Sequence, residues 1–330
     1  MGRMRLTFAA ALVISGALHA EPIAFGPGDA PGTELEVVSR TVETHRAGAR
    51  NPDASTLNTT LVARVERDAR GRHVRVRLKR FGAESMVSDE PLMRIAGETE
   101  LYLMEALTSV PLLLDIDDKG RVIGIADWDT TRRMLRQAAE NRVAVLSTEK
   151  PMLHPGAALP ADVIAETDAR IAHGFVDLIS NMKPDDFIDR FCSEIAFLLL
   201  VSGERLEIGR STERSMAVRN PADGSLSVAA YVLTLREVDA ERTRALFDWK
   251  LLSDDAVLRG YLTSAFRRHQ LDEDEIRRRV EATPVEWQAT GNAEVDIASG
   301  QARRLQLRER IRIGEAEIVR NQDVSFSPVP

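Results

Sequence analysis

The 330-residue chain carries 44 Lys and Arg against 51 Asp and Glu, a formal net charge of −7 at pH 7, with 44% hydrophobic and 29% charged residues. These are globular proportions that exclude whole-chain disorder, and the acidic balance disfavours nucleic acid and anionic membrane surfaces as partners. Aromatic residues make up 5%, too few for a base-stacking platform or a saccharide groove lined by many rings.

The first twenty residues have the three-part layout of a secretory leader: Arg3 and Arg5, then an apolar run from Leu6 to Leu18, then small residues. Cleavage is expected after Ala17 or Ala20, giving a periplasmic or secreted soluble protein. The apolar run is too short to span roughly 30 Å of hydrocarbon as a helix at about 1.5 Å per residue, so a stable membrane span in the mature protein is not expected. The chain is long enough for one large domain or two ordinary ones.

Residues 21–33 hold Pro22, Gly26, Pro27, Gly28, Pro31 and Gly32, the composition of a flexible linker, and a single domain is expected over 34–330 with a possible subdivision near 203. Leu61, Ala63 and Val65 alternate with polar or outward positions, as do Val74, Val76 and Leu78, predicting a hairpin turned by Asp68-Ala69-Arg70-Gly71. Leu112–Ile116 and Val122–Ile125 form a second hairpin. Helical spacing follows from Trp128 to Leu146, with Asp127 or Asp129 placed to cap it, then a loop containing Pro151, Pro155 and Gly156. A second helix is predicted over 161–182. A third opens at Pro184 and carries the apolar run Ile195–Val201.

Strand patterning returns at Thr212–Arg219 and Leu226–Val238, followed by Thr243, Ala245, Phe247 and Trp249. Two short helices come next: one with Val257, Tyr261, Leu262 and Phe266 on its apolar face, one starting at Asp272 with Glu275 completing a capping box. Val295 and Ile297, then Leu305, Leu307, Ile311 and Ile313, alternate around the turn Ser299-Gly300-Gln301, and a last strand runs over 316–326. Short strands joined by tight turns are antiparallel. The fold class is therefore α+β: a large curved antiparallel sheet, half-barrel-like, covered on its apolar face by several helices.

Chemistry-bearing motifs are sparse. Cys192, the single cysteine, excludes an intramolecular disulfide and reads as a buried structural thiol. Ser147-Thr148-Glu149-Lys150 matches a serine-lysine nucleophile pattern, but its companions are absent and a loop is predicted there. Asp115-Ile116-Asp117-Asp118-Lys119-Gly120 opens like a calcium loop, yet Lys119 and Ala126 occupy ligand positions, so a hairpin turn is the better reading. His45, His73, His154, His173 and His269 show no metal-ligand spacing, His154 being the hardest to dismiss. The arginine runs 267–268 and 277–279 flank four acids and read as salt-laced helices. No catalytic residue, metal ligand or cofactor is assigned.

The run Ala293-Glu294-Val295-Asp296-Ile297-Ala298-Ser299-Gly300, the alternating strand through Ile313-Gly314, and the hairpin Leu112–Ile125 followed by a helix resemble the closing hairpins of uncharacterised secreted bacterial proteins. They also look like the lipoprotein-carrier (LolA/LppX-like) half-barrels. The resemblance touches about a third of the chain, and it assigns no residue a role. The helical stretch Asp127–Val201 is longer than that family implies. The expectation is a non-enzymatic binding protein holding a lipid, acyl chain or other hydrophobic ligand between sheet and helices, with Phe187, Phe191, Ile195 and Leu198 as candidate lining. The alternatives are an envelope scaffold that binds a protein partner, and a hydrolase with a dispersed site.

Overall fold

The computed structural model describes residues 22–27, 33–47, 53–68, 71–86, 91–117, 120–153, 159–192, 194–219, 226–252, 255–268 and 271–329. The expected leader, 1–20, and His154 and His269 lie outside the described residues. Among the described residues, eleven strands form one open antiparallel sheet. Its N-terminal meander comprises β2 (Glu34–Ala47), β3 (Asp53–Asp68), β4 (Gly71–Met86), β5 (Leu112–Ile116) and β6 (Val122–Ile125). Its C-terminal meander comprises β8 (Ser211–Arg219), β9 (Leu226–Val238), β10 (Arg244–Leu252), β11 (Val285–Asp296), β12 (Ala302–Ile313) and β13 (Ala316–Pro328). The two meanders join where β13 pairs β2 over its whole length, so one sheet contains strands from both sides of Gly203, with β6 and β8 at its edges.

The helices supply the cover that a sheet with one apolar face requires. Helix α1 (Pro91–Met104) and a 3-10 turn at Glu105–Ser109 lie between β4 and β5, and α2 (Trp128–Leu153), α3 (Ala161–Asn181), α4 (Pro184–Phe191) and α5 (Ile195–Leu198) follow β6. A second unit, α6 (Asp255–Arg268) and α7 (Glu273–Ala282), follows β10. Asp272 caps α7 as expected, accepting from the Glu275 backbone N–H at 2.8 Å. The Glu275 side chain does not close the box and instead pairs with Arg279 at 2.6 Å.

Five segments differ from expectation. Helix α2 continues through Pro151 to Leu153 where a loop was predicted. The proline lies in the final turn, so its missing N–H ends a ladder that is already ending. The expected single helix from Pro184 breaks at Cys192 (φ −137°, ψ 18°), and α5 starts afresh. The apolar residues on both sides of the break are buried in the main core. Within the expected linker, Ile23–Ala24 forms a short strand, β1, paired with β7 (Arg205–Leu206), and Phe25 is buried with its ring 5.5 Å from that of Phe247. Helix α1 and the full length of β2 were not anticipated.

Gly300, in the β11–β12 turn, sits at φ +70°, and a Cβ there would lie 2.3 Å from the Gly26 carbonyl oxygen. Only glycine permits that turn to close over the N-terminal segment.

Candidate functional site

Phe187, Phe191, Ile195 and Leu198 are brought together by the structure, all inside the main core and at most 3% exposed. The Phe187 ring stands 5.7 Å from Trp128 and 4.8 Å from Phe191, and Phe191 meets Phe81 of β4 edge-on at 6.2 Å. These contacts fasten α4 to α2 and to the sheet. Cys192 beside them is buried, and burial, reinforced by the charge of Glu194, pushes its thiol pKa far up. Such a thiol is inert.

The helix-facing side of the sheet changes character along its central strands. Strand register places Ala293, Leu305, Val324, Ser39 and Thr59 in one row across β11, β12, β13, β2 and β3, and all five are buried. The next row on the same face, Leu307, Gln322, Thr41 and Leu57, is partly open to solvent. Beyond it come Glu309, Arg320 and Glu43, then Ile311, Ile318 and His45. The far halves of β2, β12 and β13 therefore have partly exposed residues on both faces, whereas their near halves are closed on one.

A polar ladder crosses this open half. Trp287 Nε1 donates to Glu309 Oε1 at 2.8 Å, and Arg320 Nη1 donates to Glu309 Oε2 at 3.1 Å. Arg320 Nε donates to Glu43 Oε2 at 2.7 Å, and His45 Nε2 lies 2.5 Å from Glu43 Oε1. Burial works to raise the Glu43 pKa, but the charge and hydrogen bond of Arg320, with His45, bring it below its ordinary 4.5. Burial likewise works to lower the Arg320 pKa, and Glu309 and Glu43 overcome it. Leu307 and Ile311 flank the ladder and pack against the rim of the core. The α6–α7 unit stands at one side, with Leu262, Ile276 and Val280 gathered on Val285 and Ile313.

Alternation carried a usable signal for this site. Glu309 and Arg320 occupy positions whose neighbours in the same register, Leu307, Ile311, Ile318 and Val324, are apolar. A charge in an inward register marks an unusual face. What the sequence could not supply was the cross-strand pairing that stacks the two charges beside Glu43.

Among the described residues, two concavities border these elements. One, of about 660 Å³, lies on the opposite side of the sheet over β10, β11, β12, β13 and β2. Gly291 is at its floor, where a Cβ would approach the Gln306 carbonyl oxygen to 2.2 Å, so the backbones of β11 and β12 come close there. The other, of about 780 Å³, lies between β4, the 3-10 turn and α2, and is bordered by the Arg142–Glu105 ion pair and exposed Met134. Neither is lined by Phe187, Phe191, Ile195 or Leu198.

The remaining motifs do not assemble a reactive centre. Ser147–Lys150 lies on helix α2 rather than in a loop. Asp117 pairs with Arg121 and receives its backbone N–H, binding it into the β5–β6 hairpin, whose residues 118 and 119 lie outside the described residues. His73 is buried between Asp115, 2.8 Å from Nδ1, and Asp68, 3.2 Å from Nε2, which ties β5 to the β3–β4 hairpin. His173 turns back onto the Ala169 carbonyl. Among the described residues no group of three or more His, Cys, Asp or Glu side chains is placed to hold a metal ion, and no helix is long and apolar enough to cross a membrane.

No family model matches the chain, and no curated protein matches it. The likeness of its closing hairpins to the lipoprotein-carrier half-barrels therefore has no counterpart in a matching family. Among solved structures the chain is similar to one titled "Lipid-protein interactions in lipovitellin", at a TM-score of 0.37 and 8% identity, over 91% of this chain and 26% of that one. The chain thus spans about a quarter of the length of that protein.

Proposed function

We propose that this is an exported, non-enzymatic binding protein that holds a lipid or another acyl-bearing amphipathic ligand against the open half of its sheet. The observation that carries this reading is the change along β12, β13 and β2 from a closed apolar face to a half-exposed one that keeps its aliphatic side chains. Leu307, Ile311 and Ile318 offer apolar contact, and the Glu309–Arg320–Glu43 ladder between them offers fixed charges for a polar head. Each methylene the ligand removes from water contributes about 0.8 kcal/mol, so an acyl chain gains several kcal/mol from modest cover. In this reading Phe187, Phe191, Ile195 and Leu198 keep the closed half shut, and the ligand meets the residues beyond them.

Titration of purified protein with 1-pyrenedodecanoic acid tests the proposal. Saturable binding is expected, weakened roughly tenfold or more by the double variant Ile311→Asp/Ile318→Asp, because a carboxylate at each position disfavours acyl contact. Absence of saturable binding, or binding indifferent to that variant while its melting temperature is unchanged, would overturn it. Export is tested separately by N-terminal sequencing of protein from the periplasmic fraction, with processing expected after Ala17 or Ala20. A second reading, attachment of a protein partner by strand addition, is favoured by edge strand β6, on which Ile123 is 62% exposed.

A further inference from the structure

The concavity on the other face of the sheet has an electrostatic character opposite to that of the whole chain. Its floor includes two adjacent cross-strand rows: Lys250, Thr290, Arg308 and Asn321 in one, and in the other Asp248, Asn292, Gln306 and Asp323 with Arg40, a cation that already has a partner. Both carboxylates are already engaged by arginines outside the lining. Asp323 receives Arg304 through two hydrogen bonds, at 3.2 and 2.7 Å, and that interaction holds its pKa below the ordinary 3.8. Asp248 pairs with Arg236 at 3.4 Å. Lys250 and Arg308, both exposed, have no ion-pair partner among the described residues, and Thr290, Asn292 and Asn321 have no side-chain hydrogen bond there. The result is a positive trough with uncommitted hydroxyl and amide groups in a protein of net charge −7.

We infer that this trough binds a small organic anion carrying two anionic groups, phosphate or carboxylate. Lys250 and Arg308 stand two strands apart, roughly 10 Å at about 4.8 Å per strand, a separation that one compact dianion bridges through the long side chains. Thr290 lies between them in the same row, and Asn321 and Asn292 adjoin it, so hydrogen-bonding groups flank both charges. About 660 Å³ matches the size of small-molecule sites. The close approach of β11 to β12 at Gly291 lies at the base of the concavity, and the ring of Trp249 in its lining is itself buried, 3% exposed. This site is independent of the acyl site, which occupies the other face.

Isothermal titration of the full chain at low salt with inorganic pyrophosphate and with citrate, against glucose as a neutral probe, tests the inference. Saturable binding of at least one anion is expected, weakened roughly tenfold by Lys250→Ala/Arg308→Ala and several-fold by each single variant, with further weakening by added salt. Both side chains are exposed, so an unchanged melting temperature identifies folded variants. The Ile311→Asp/Ile318→Asp variant should bind the anion normally, which separates this inference from the acyl reading. No saturable binding of either anion, equal binding of glucose, or anion binding indifferent to loss of both cations would each overturn it.

Discussion

The near and far halves of β12 and β13 belong to the same strands, in the same register, with the same face turned toward the helices, yet they behave as different materials. In the near half, Leu305 and Val324 are fully enclosed. In the far half, Ile311 and Ile318 share their row with His45, and the row between is Glu309, Arg320 and Glu43. Strand alternation reports which way a side chain points and leaves open whether anything lies above it. Enclosure depends on where α5 and the α6–α7 unit come down, and neither closes over the centre of the far half.

A matched pair of substitutions on β13 separates the two halves most sharply. Val324→Asp places an unpaired charge in the closed half, and a loss of about 4 kcal/mol or more is expected, enough to prevent folding of a marginally stable chain. Ile318→Asp, six residues away on the same face, is expected to cost under about 1 kcal/mol. Urea denaturation of the two variants measures the difference; equal losses would mean that the far half is as enclosed as the near one.

Arg320→Ala gives a smaller effect with a distinctive pH signature. Removing the guanidinium leaves Glu309 and Glu43 without their shared cation, and a loss of about 1 kcal/mol is expected at neutral pH, since Arg320 is half-exposed. The folded-state pKa of Glu43 is depressed, so its contribution is complete above its ordinary value of 4.5 and is lost as pH falls through the lower folded value. The variant should therefore show a shallower fall in stability below pH 4.5 than the parent, measured by denaturation across the acid range. An unchanged slope would remove the ladder's role in holding the far half.

Asp272→Ala sharpens the comparison at its margin. It deletes the cap that accepts from the Glu275 N–H, and a cost of roughly 1 kcal/mol is expected, local to α7. Hydrogen exchange should quicken in α6 and α7 and at Val285 and Ile313, while β5 and β6 keep their protection. Faster exchange spread evenly through the sheet would show that the α6–α7 unit is no separate wall.

Much of the fold was legible because its signals are local. The hairpins at 61–78 and 112–125, the closing strands and the Asp272 cap each follow from period-two alternation, turn residues or a capping side chain within a few positions. Helix α1 was missed because its polar and apolar residues mix over a short span, and the break at Cys192 because an all-round apolar run has no preferred face to betray a change of direction. The candidate lining Phe187, Phe191, Ile195 and Leu198 was recognisable as apolar and helical. Its place deep in the core was settled by Trp128 and Phe81, which are distant in sequence.

In the sequence by itself, spacing within one strand or one turn suffices for the antiparallel α+β class and for the inward and outward alternation of the hairpins at 61–78 and 112–125. Only the tertiary structure makes the longer connections: the pairing of β13 with β2 brings Glu43 to the Glu309–Arg320 pair on a half-open face, and the pairing of β10 with β11 brings Lys250 toward Arg308 in a trough on the other. Both meetings are made by residues far apart along the chain. Chain closure across that distance is set by the burial of the whole core, and no local pattern encodes it.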